Sequence, residues 1–501
     1  MEPIWGELKL ERVAGRTVAQ AFVEGDIPMP AGREAQRILQ VEGQIQNEAA
    51  RCTDGRVQVE GTLSLQMLCM SPEHVPFDVH AATRYSHNIP LAGVEEGMHA
   101  KVKPQLLDLR CVLQDRHAHV EAVAELNTMV QKNDVIQVLA DVSGANNLQT
   151  LHADAQLSEL RELTTTTLRM HEMMDAPGVV HVLRATAAAH ITDASLEENG
   201  IAVEGTLYVA TLYTDEDDQL MQSMQKIPFN ELIPLDLDAS SCGRVRISPM
   251  VRDLSVSVSD EQNMLEMDAA MLLNVHCIAH EQLRALADAY TPDGDIEFVQ
   301  QQIEQLSPVD SMAQQCRINE TLRLPDNQPD AARVIFAAAR PTVLGISDSD
   351  GALAVDGLLI TALVYQSAEG TAIAFEEDVP FRCTLDAPYS PDAEVRVRTL
   401  EVSGSGSGRM LNVEYLLETE AAINEMQQIM LAVDAVPAVP VTRDNGIIVH
   451  LASGGETFWD VGKRYGAIAA QVQMWNPQLT EPFAEGTPVL ILSAAGRKHK
   501  V

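Results

Sequence analysis

The chain of 501 residues repeats one short pattern three times, and this repetition limits its fold more than any other feature. The pattern occupies residues 54–63, 199–207 and 350–359. Val59-Glu60-Gly61 in the first copy returns as Val203-Glu204-Gly205 and then as Val355-Asp356-Gly357. The copies lie 144 and 152 residues apart, a spacing that is typical of whole domains rather than of solenoid repeats. We therefore expect three homologous domains in series.

Each copy begins with an Asn-Gly or Asp-Gly turn and continues with alternating apolar and polar residues, which predicts a hairpin and an antiparallel strand. A glycine inside such a strand predicts a bulge or a close approach of another backbone. We predict a mainly β protein whose three repeats are antiparallel sandwich or barrel-like domains, followed by a small βααβ domain.

Further landmarks give the domain boundaries. A Pro-Phe landmark lies at the same spacing within the second and third copies, as Ile227-Pro228-Phe229 and Val379-Pro380-Phe381. In the first copy Val75-Pro76-Phe77 comes too early, so the hairpin there is expected to differ. Each copy closes on an apolar run that ends in Asp: residues 139–141, 286–288 and 431–434. The predicted domains are 1–145, 165–295, 315–440 and 446–494. The acidic, Gln-rich connectors near 145–165 and 295–325 are expected to be surface hinges, with helical periodicity at residues 296–306.

The last fifty residues have a different pattern. Ile447–Leu451 is a β-branched run that predicts a strand, and Thr457 is placed to cap a following helix. Phe458, Val461 and Tyr465 share one face of that helix, which Gly466 should terminate. A second helix is predicted from Ile468 to Trp475, before Asn476-Pro477, and residues 488–492 predict a closing strand.

The segment Gly455-Glu456-Thr457-Phe458-Trp459-Asp460-Val461-Gly462-Lys463-Arg464-Tyr465-Gly466 resembles the central motif of LysM domains. Glu456 and Gly462 depart from it, since the family usually has Asp and Ala there. LysM domains are best known for binding N-acetylglucosamine polymers such as peptidoglycan in a shallow groove between two loops. The resemblance assigns these groove residues: Gly455, Glu456, Thr457, Phe458, Asn476, Pro477, Gln478 and Leu479. A second interpretation is that Phe458, Trp459 and Trp475 only pack the core of a small domain.

The net charge of −37 is concentrated in the repeats, because the residues from Asn445 onward carry +1. Such a field disfavours nucleic acids and anionic membranes as partners. A basic tail, residues 497–500, is a solvated terminus or a contact for an acidic partner. The seven cysteines have no Cys-x-x-Cys spacing, the N-terminus lacks the regions of a signal peptide, and no apolar run has the length of a membrane helix. We expect a cytosolic protein without membrane insertion.

Three such repeats followed by one LysM-like segment are similar to the clostridial spore-envelope morphogenetic proteins, a resemblance that covers nearly the whole chain. It implies a scaffold in the mother-cell cytoplasm at the forespore surface, whose LysM domain binds the self-assembling ATPase of the spore coat. Asp460, Lys463 and Arg464 are then the predicted partner-binding residues. The alternative is a wall-associated protein that binds N-acetylglucosamine glycan.

The sequence contains none of the common hydrolase, nucleotide-binding or zinc-protease motifs, so we expect no enzymatic activity, catalytic residues or cofactor. A hydrolase with an unrecognised site is the third class considered. The best metal candidate is His117-x-His119-x-Glu121, whose side chains share one face of a strand. The aligned strand of the second copy, Leu265–Asp268, has no histidine. We therefore interpret this pattern as a solvated strand face and expect no metal site.

Overall fold

The computed structural model describes residues 2–114, 116–235, 242–261, 263–292, 294–440 and 446–493. In these ranges the chain is mainly β, as predicted, with antiparallel sheets and two short helices near the C-terminus. The strands fall into three repeats of six, and a β-α-α-β unit, called here the C-terminal module, follows them. The predicted basic tail lies outside the described residues. Among the described residues, no helix is both long and apolar enough to cross a bilayer.

The first repeat consists of β1 (Glu2–Pro28), β2 (Arg37–Thr53), β3 (Arg56–Met70), β4 (Pro76–Pro90), β5 (His99–Gln114) and β6 (His117–Ser143). The second repeat consists of β7 (Gln149–Asp175), β8 (His181–Glu197), β9 (Gly200–Thr214), β10 (Leu220–Pro234), β11 (Cys242–Val258) and β12 (Met264–Thr291). The third repeat consists of β13 (Gly294–Arg323), β14 (Ala331–Ser349), β15 (Ala352–Ser367), β16 (Ala372–Pro388), β17 (Glu394–Ser407) and β18 (Met410–Pro440). The module consists of β19 (Gly446–Leu451), α1 (Phe458–Tyr465), α2 (Ala469–Trp475) and β20 (Pro488–Ser493).

Each repeat contributes two groups of three adjacent strands. In the first repeat the groups are β2-β3-β4 and β1-β6-β5, and the other two repeats follow the same scheme. A short pairing of β12 with β13 joins the long-strand groups of the second and third repeats into one six-stranded sheet. Apolar side chains from both sheets meet in one core per repeat, for example Val59 and Leu63 of β3 with Val120 and Ala124 of β6. The alternating pattern therefore buries one face of each sheet against the other.

The repeated glycine lies where two strands and an aromatic ring approach most closely. A Cβ atom added to Gly205 would lie 2.5 Å from the carbonyl oxygen of His190 and would also overlap the ring of Phe229. The partner strand β8 has a register shift at this point, between Ile191 and Asp193. Gly61 and Gly357 have the same arrangement with Tyr85 and Phe381. The predicted close approach and bulge are both present, and only glycine leaves room for the ring.

The three repeats also pack against one another at equivalent positions. The central strands contribute Leu68, Leu212 and Val364 to one shared apolar cluster. The long strands extend past the cores of their own repeats, and their far ends contribute Leu139, Leu286 and Ala432 to another. Each of these last three residues belongs to a closing run, so the closing runs join the repeats.

Charged groups also join the repeats. Arg184 of the second repeat is buried and binds the buried Asp78 of the first at 2.5 Å. His190 of the second repeat and Arg398 of the third both contact the buried carboxylate of Glu418. A cavity of about 1680 Å³ lies between the repeats, and Arg184 and Arg398 are in its wall. Because buried charges are costly unless paired, these contacts fix how the repeats meet.

The connectors differ from their prediction. Residues 149–175 and 294–323 form β7 and β13, so the second and third repeats begin before residues 165 and 315. The helical interpretation of residues 296–306 is wrong, because this segment is paired with β18. Register shifts in β13, including one between Val299 and Gln300, interrupt the alternation and leave apolar residues at uneven spacing. Whether each repeat folds independently stays a prediction.

We expect Gly357→Ala to destabilise the protein by about 1–3 kcal/mol, the usual cost of overpacking a core. The new Cβ would lie 2.5 Å from the ring of Phe381. Gly345→Ala is the matched control, because a Cβ on this glycine of the same repeat meets nothing within 4 Å. Denaturant unfolding of both variants measures the difference. Equal stabilities would show that both the ring and the carbonyl oxygen of Thr342 are free to move away.

Candidate functional site: the C-terminal module and its contact with the repeats

The local structure of the module agrees with its sequence pattern. Thr457 caps α1, accepting a hydrogen bond from the Asp460 backbone N–H, while the Asp460 carboxylate accepts one from the Thr457 N–H. Gly466 ends the helix in the left-handed conformation with φ 64°. The second helix ends at Trp475, before Asn476-Pro477. These caps satisfy backbone groups that a helix leaves unpaired at its ends.

The apolar face of α1 packs the module core. Phe458 and Val461 are buried, together with Val472 of α2 and Val489 of β20, and Tyr465 is partly buried. The ring of Phe458 meets that of Phe483 edge-on, with centroids 4.9 Å apart. Phe458 was assigned to a ligand groove by resemblance; in the structure its side chain lies in the core.

The first predicted groove loop uses its backbone donors within the module. The N–H of Gly455 donates to the carbonyl oxygen of Phe483 at 2.9 Å, and that of Glu456 to Ser453 at 3.2 Å. The N–H of Thr457 donates to Asp460, and that of Phe458 donates to the carboxylate of Glu481 at 2.7 Å. All four donors of this loop are therefore engaged inside the protein.

Part of the second predicted groove loop packs into the module and holds α2 to β20. The buried side chain of Asn476 donates to the carbonyl oxygens of Val472 and Leu490 and accepts from the Leu490 N–H, with distances of 2.7 to 2.8 Å. Leu479 packs against the core. Of the eight predicted groove residues, only Gly455, Pro477 and Gln478 are exposed.

Glu456 is at the centre of a polar cluster. Its carboxylate lies 2.7 Å from His450 Nε2 and 2.6 Å from Arg464, and it accepts a hydrogen bond from the Ser453 N–H. The hydrogen bond from His450 is the main cause that lowers the pKa of Glu456 below its ordinary 4.5. The Glu at this position, where LysM domains usually have Asp, reaches both His450 and Arg464 and ties β19 to α1.

The module is attached to the end of β12 by polar contacts. Trp459 Nε1 donates to one oxygen of Asp288 at 2.8 Å, and Lys463 Nζ donates to the other at 2.6 Å. The hydroxyl of the buried Tyr290 donates to the carbonyl oxygen of Ala467 at 2.8 Å. The rings of Tyr290 and Trp459 meet edge-on, with centroids 4.9 Å apart. These residues are called here the docking contact.

Gly462 makes the docking contact possible. A Cβ atom at this position would lie 2.6 Å from the Tyr290 hydroxyl and 2.9 Å from the carbonyl oxygen of Ala467. The alanine that LysM domains usually carry would therefore separate Tyr290 from its acceptor. The departure noted in the sequence coincides with the place where the second repeat inserts a side chain.

The predicted partner-binding residues have different surroundings. Lys463 is held by Asp288 of the same chain, so its charge faces the repeats. Arg464 is half-exposed but bound to Glu456, and the exposed Asp460 is used in the cap of α1. Binding of a partner protein at these three residues stays a prediction.

The outer face of the β19–β20 sheet was not identified from the sequence. Ile447, Val449 and Leu451 are 77%, 61% and 65% exposed, and across the sheet Ile447 pairs with Leu492 and Val449 with Leu490. This surface is called here the aliphatic face. The alternation of β19 indicates this face. Ile448 and His450 point inward, and Ile447, Val449 and Leu451 on the opposite side are apolar, as core residues usually are. Contiguous apolar surface of this kind is typical of protein contact sites.

Residues 34–114 and 179–259 each match the family model described as SipL, SPOCS domain. The first match runs from just before β2 to the end of β5, and the second covers β8 to β11 and the residue after it. Together they cover about a third of the chain, and the third repeat has the same strand order. No curated protein and no solved structure shows significant similarity to the chain. The matches support a sporulation-related protein with a repeated domain.

We expect Gly462→Ala to loosen the docking contact, even though alanine favours an isolated helix by about 1 kcal/mol over glycine. Overpacking costs about 1–3 kcal/mol, and a net loss of about 1.4 kcal/mol after the helix gain corresponds to roughly tenfold faster amide hydrogen exchange at the end of β12 and in α1. The control is Gly454→Ala, whose Cβ would meet its nearest neighbours at 3.8 Å. Unchanged exchange in the Gly462 variant would contradict a tight contact at Tyr290.

The lowered pKa of Glu456 predicts a pH dependence. Its carboxylate contributes stability above the ordinary value of 4.5, and this contribution is lost as the pH falls through the lower folded value. Glu456→Gln should therefore lower the melting temperature at pH 7, and the difference from the unmodified chain should vanish in acid below the folded pKa. Glu485→Gln, at an exposed position of the module, is the control. A difference that persists at the lowest pH would assign the effect to packing instead.

Proposed function

We propose that the chain is a non-enzymatic scaffold of spore-envelope assembly that acts in the mother-cell cytoplasm at the forespore surface. The three repeats form its body, and the C-terminal module is a LysM domain that docks the morphogenetic ATPase of the spore coat. The matches to the SPOCS domain support the sporulation context. The joined repeats support a scaffold, because apolar clusters and paired charges connect all three.

The observation that carries a protein partner is the aliphatic face. Its exposed Ile, Val and Leu side chains offer no hydrogen bonds to sugar hydroxyls, whereas they bury well against another protein. The loop at residues 455–458 also favours a protein partner. All its backbone N–H groups are hydrogen-bonded within the module, so none is free to bind a glycan. The docking contact holds α1 toward β12, so a partner meets the module as part of a larger body.

The charge distribution is consistent with this assignment. Residues before Asn445 carry −38, while the module and its tail are nearly neutral. An acidic partner is repelled by the repeats but not by the module. The module therefore provides the surface at which an acidic assembly protein meets the least repulsion.

The second candidate is a protein that binds N-acetylglucosamine polymers or peptidoglycan. The exposed Gly455, Pro477 and Gln478 favour it, because they leave one edge of the two-loop groove open to a ligand. A glycan would have to bind there through side chains and carbonyl acceptors rather than through the loop donors.

We expect Val449→Glu together with Leu451→Glu to weaken binding of the full-length chain to the purified coat ATPase by more than tenfold, the size of effect that a central contact produces. Both side chains are mainly exposed, so the fold should tolerate the change. The matched control is Met474→Glu, an apolar residue of α2 that is 76% exposed and lies outside the aliphatic face.

Three outcomes separate the candidates when the same proteins are titrated with N-acetylglucosamine oligomers. Loss of ATPase binding in the double variant alone supports the proposal. ATPase binding that is unchanged in both variants places the partner on another surface. Saturable glycan binding without any ATPase binding assigns the second candidate.

A further inference from the structure

The second repeat carries a cluster of metal-ligand side chains on its outer surface. His171 of β7 lies directly opposite Asp268 of β12, and Glu266 is two residues along the same strand and therefore on the same face. His171 Nδ1 is 3.0 Å from Asp268, and Nε2 is 3.8 Å from Glu266. One ligand atom from each residue lies within 4.8 Å of the other two. We call this set the β7–β12 cluster.

The first repeat carries the same residue types on the corresponding strands. His119 of β6 lies opposite Asp26 of β1, with His119 Nδ1 2.8 Å from the carboxylate, and Glu121 is two residues along β6, 3.6 Å from Nε2. Counted from the start of β6 and of β12, His119 and Glu121 occupy the third and fifth positions, as do Glu266 and Asp268. We call this set the β1–β6 cluster.

The third repeat provides a comparison within the same chain. The third and fifth positions of β18 are Asn412 and Glu414, and they pair with Thr321 and Asn319 of β13. Thr321 there donates to the amide oxygen of Asn412 at 2.9 Å. This surface therefore keeps polar side chains without an imidazole and with a single carboxylate.

The strand of the second copy that aligns with His119 contains no histidine, and for this reason the sequence predicts no metal site. The structure supplies that histidine from the neighbouring strand, since His171 is brought to Asp268 by the pairing of β7 with β12. The residue types are thus the same in both repeats, although the histidine and the aspartate exchange strands.

We propose that the β7–β12 and β1–β6 clusters each bind one divalent transition-metal ion of the Zn²⁺ class. Each offers one imidazole nitrogen and two carboxylate oxygens. Both are ligand types that Zn²⁺ accepts, and three protein ligands leave a fourth position for water. In both clusters the acidic residues supply the negative charge that a dication requires. All three side chains of the β7–β12 cluster are about half-exposed or more, so they are free to close from 4.8 Å to the shorter separations that metal bonds of about 2.0–2.2 Å impose. The ligand atoms of the β1–β6 cluster do not all lie within 4.8 Å of one another, so there the exposed carboxylates of Asp26 and Glu121 must move further to share one ion.

An ion at either cluster would join two neighbouring long strands from outside the sheet. It would add a cross-strand link beside the core without altering the buried residues, and water on the ion would leave a position for a ligand from a second protein. Metal binding at these clusters is independent of what the C-terminal module binds.

The test is equilibrium dialysis of the metal-free full-length chain against Zn²⁺, followed by metal analysis. We expect two tightly bound ions per chain, one in His171→Ala, one in His119→Ala and none in the double variant. Glu266→Gln with Asp268→Asn should also remove one ion while leaving the histidine in place. The control is His280→Ala, an imidazole of β12 that pairs with the Ser158 hydroxyl, and it should keep both ions.

Thermal unfolding gives an independent measurement on the same proteins. Zn²⁺ should raise the melting temperature of the unmodified chain by several degrees, because a ligand that binds only the folded state stabilises it, and this rise should be absent in the double variant. Two results would overturn the proposal. The first is that the cluster variants bind as many ions per chain as the unmodified protein. The second is that binding is weak and that the His280 control lowers it as much as the cluster variants do. Either would show that the clusters are ordinary ion pairs of a strongly acidic surface.

Discussion

The apolar contact among the ends of the long strands is the interaction on which the rest of the structure depends. Leu139, Leu286 and Ala432 come from three closing runs and share one buried cluster. A second buried cluster, which includes Leu8, Leu157 and Ile303, joins the same long strands. Without these two clusters the strand extensions would lose the apolar contacts that join them, and two-stranded ribbons alone are marginal in water. Their union also sets the end of β12, and therefore Asp288 and Tyr290, at the place where the C-terminal module is bound.

Docking changes what the module can do. A free domain of this size could offer any surface, but here Lys463 and Trp459 are bound to Asp288 and α1 faces the repeats. The charged residues that the sequence suggests as contacts are thereby partly engaged in internal pairs. The pair of Lys463 with Asp288 is only partly buried, so it orients the module more than it adds affinity. What remains outward is the aliphatic face, whose energetic contribution on contact comes from area removed from water.

Local sequence patterns predicted the structure correctly at positions where the backbone geometry admits only one or a few residue types. The cap at Thr457, the stop at Gly466 and the close approach at the repeated glycine follow from backbone geometry, and all are present. The aromatic partner of Gly61 was missed: Tyr85 follows Val59 at the spacing of Phe229 from Val203, but without a preceding proline. The connectors and the β7–β12 cluster were misread because bulges break alternation, and because cross-strand neighbours such as His171 and Asp268 are not visible in one strand.

Because the repeat occurs three times, three residues occupy each equivalent position, and these residues make different contacts. Asp288 binds the module, whereas the corresponding Asp141 lies 3.6 Å from His152, and Asp434 accepts from the backbone N–H of Ala435. Likewise the imidazole–carboxylate clusters occur in the first two repeats, and in the third repeat Thr321 and Asn412 occupy the equivalent positions. The glycine shared by all copies meets a steric requirement of the fold, because its surroundings are the same in each repeat. The shared Asp of the closing runs has no such requirement, so its contacts depend on the residues that differ around it, and these differences give each repeat its own contacts.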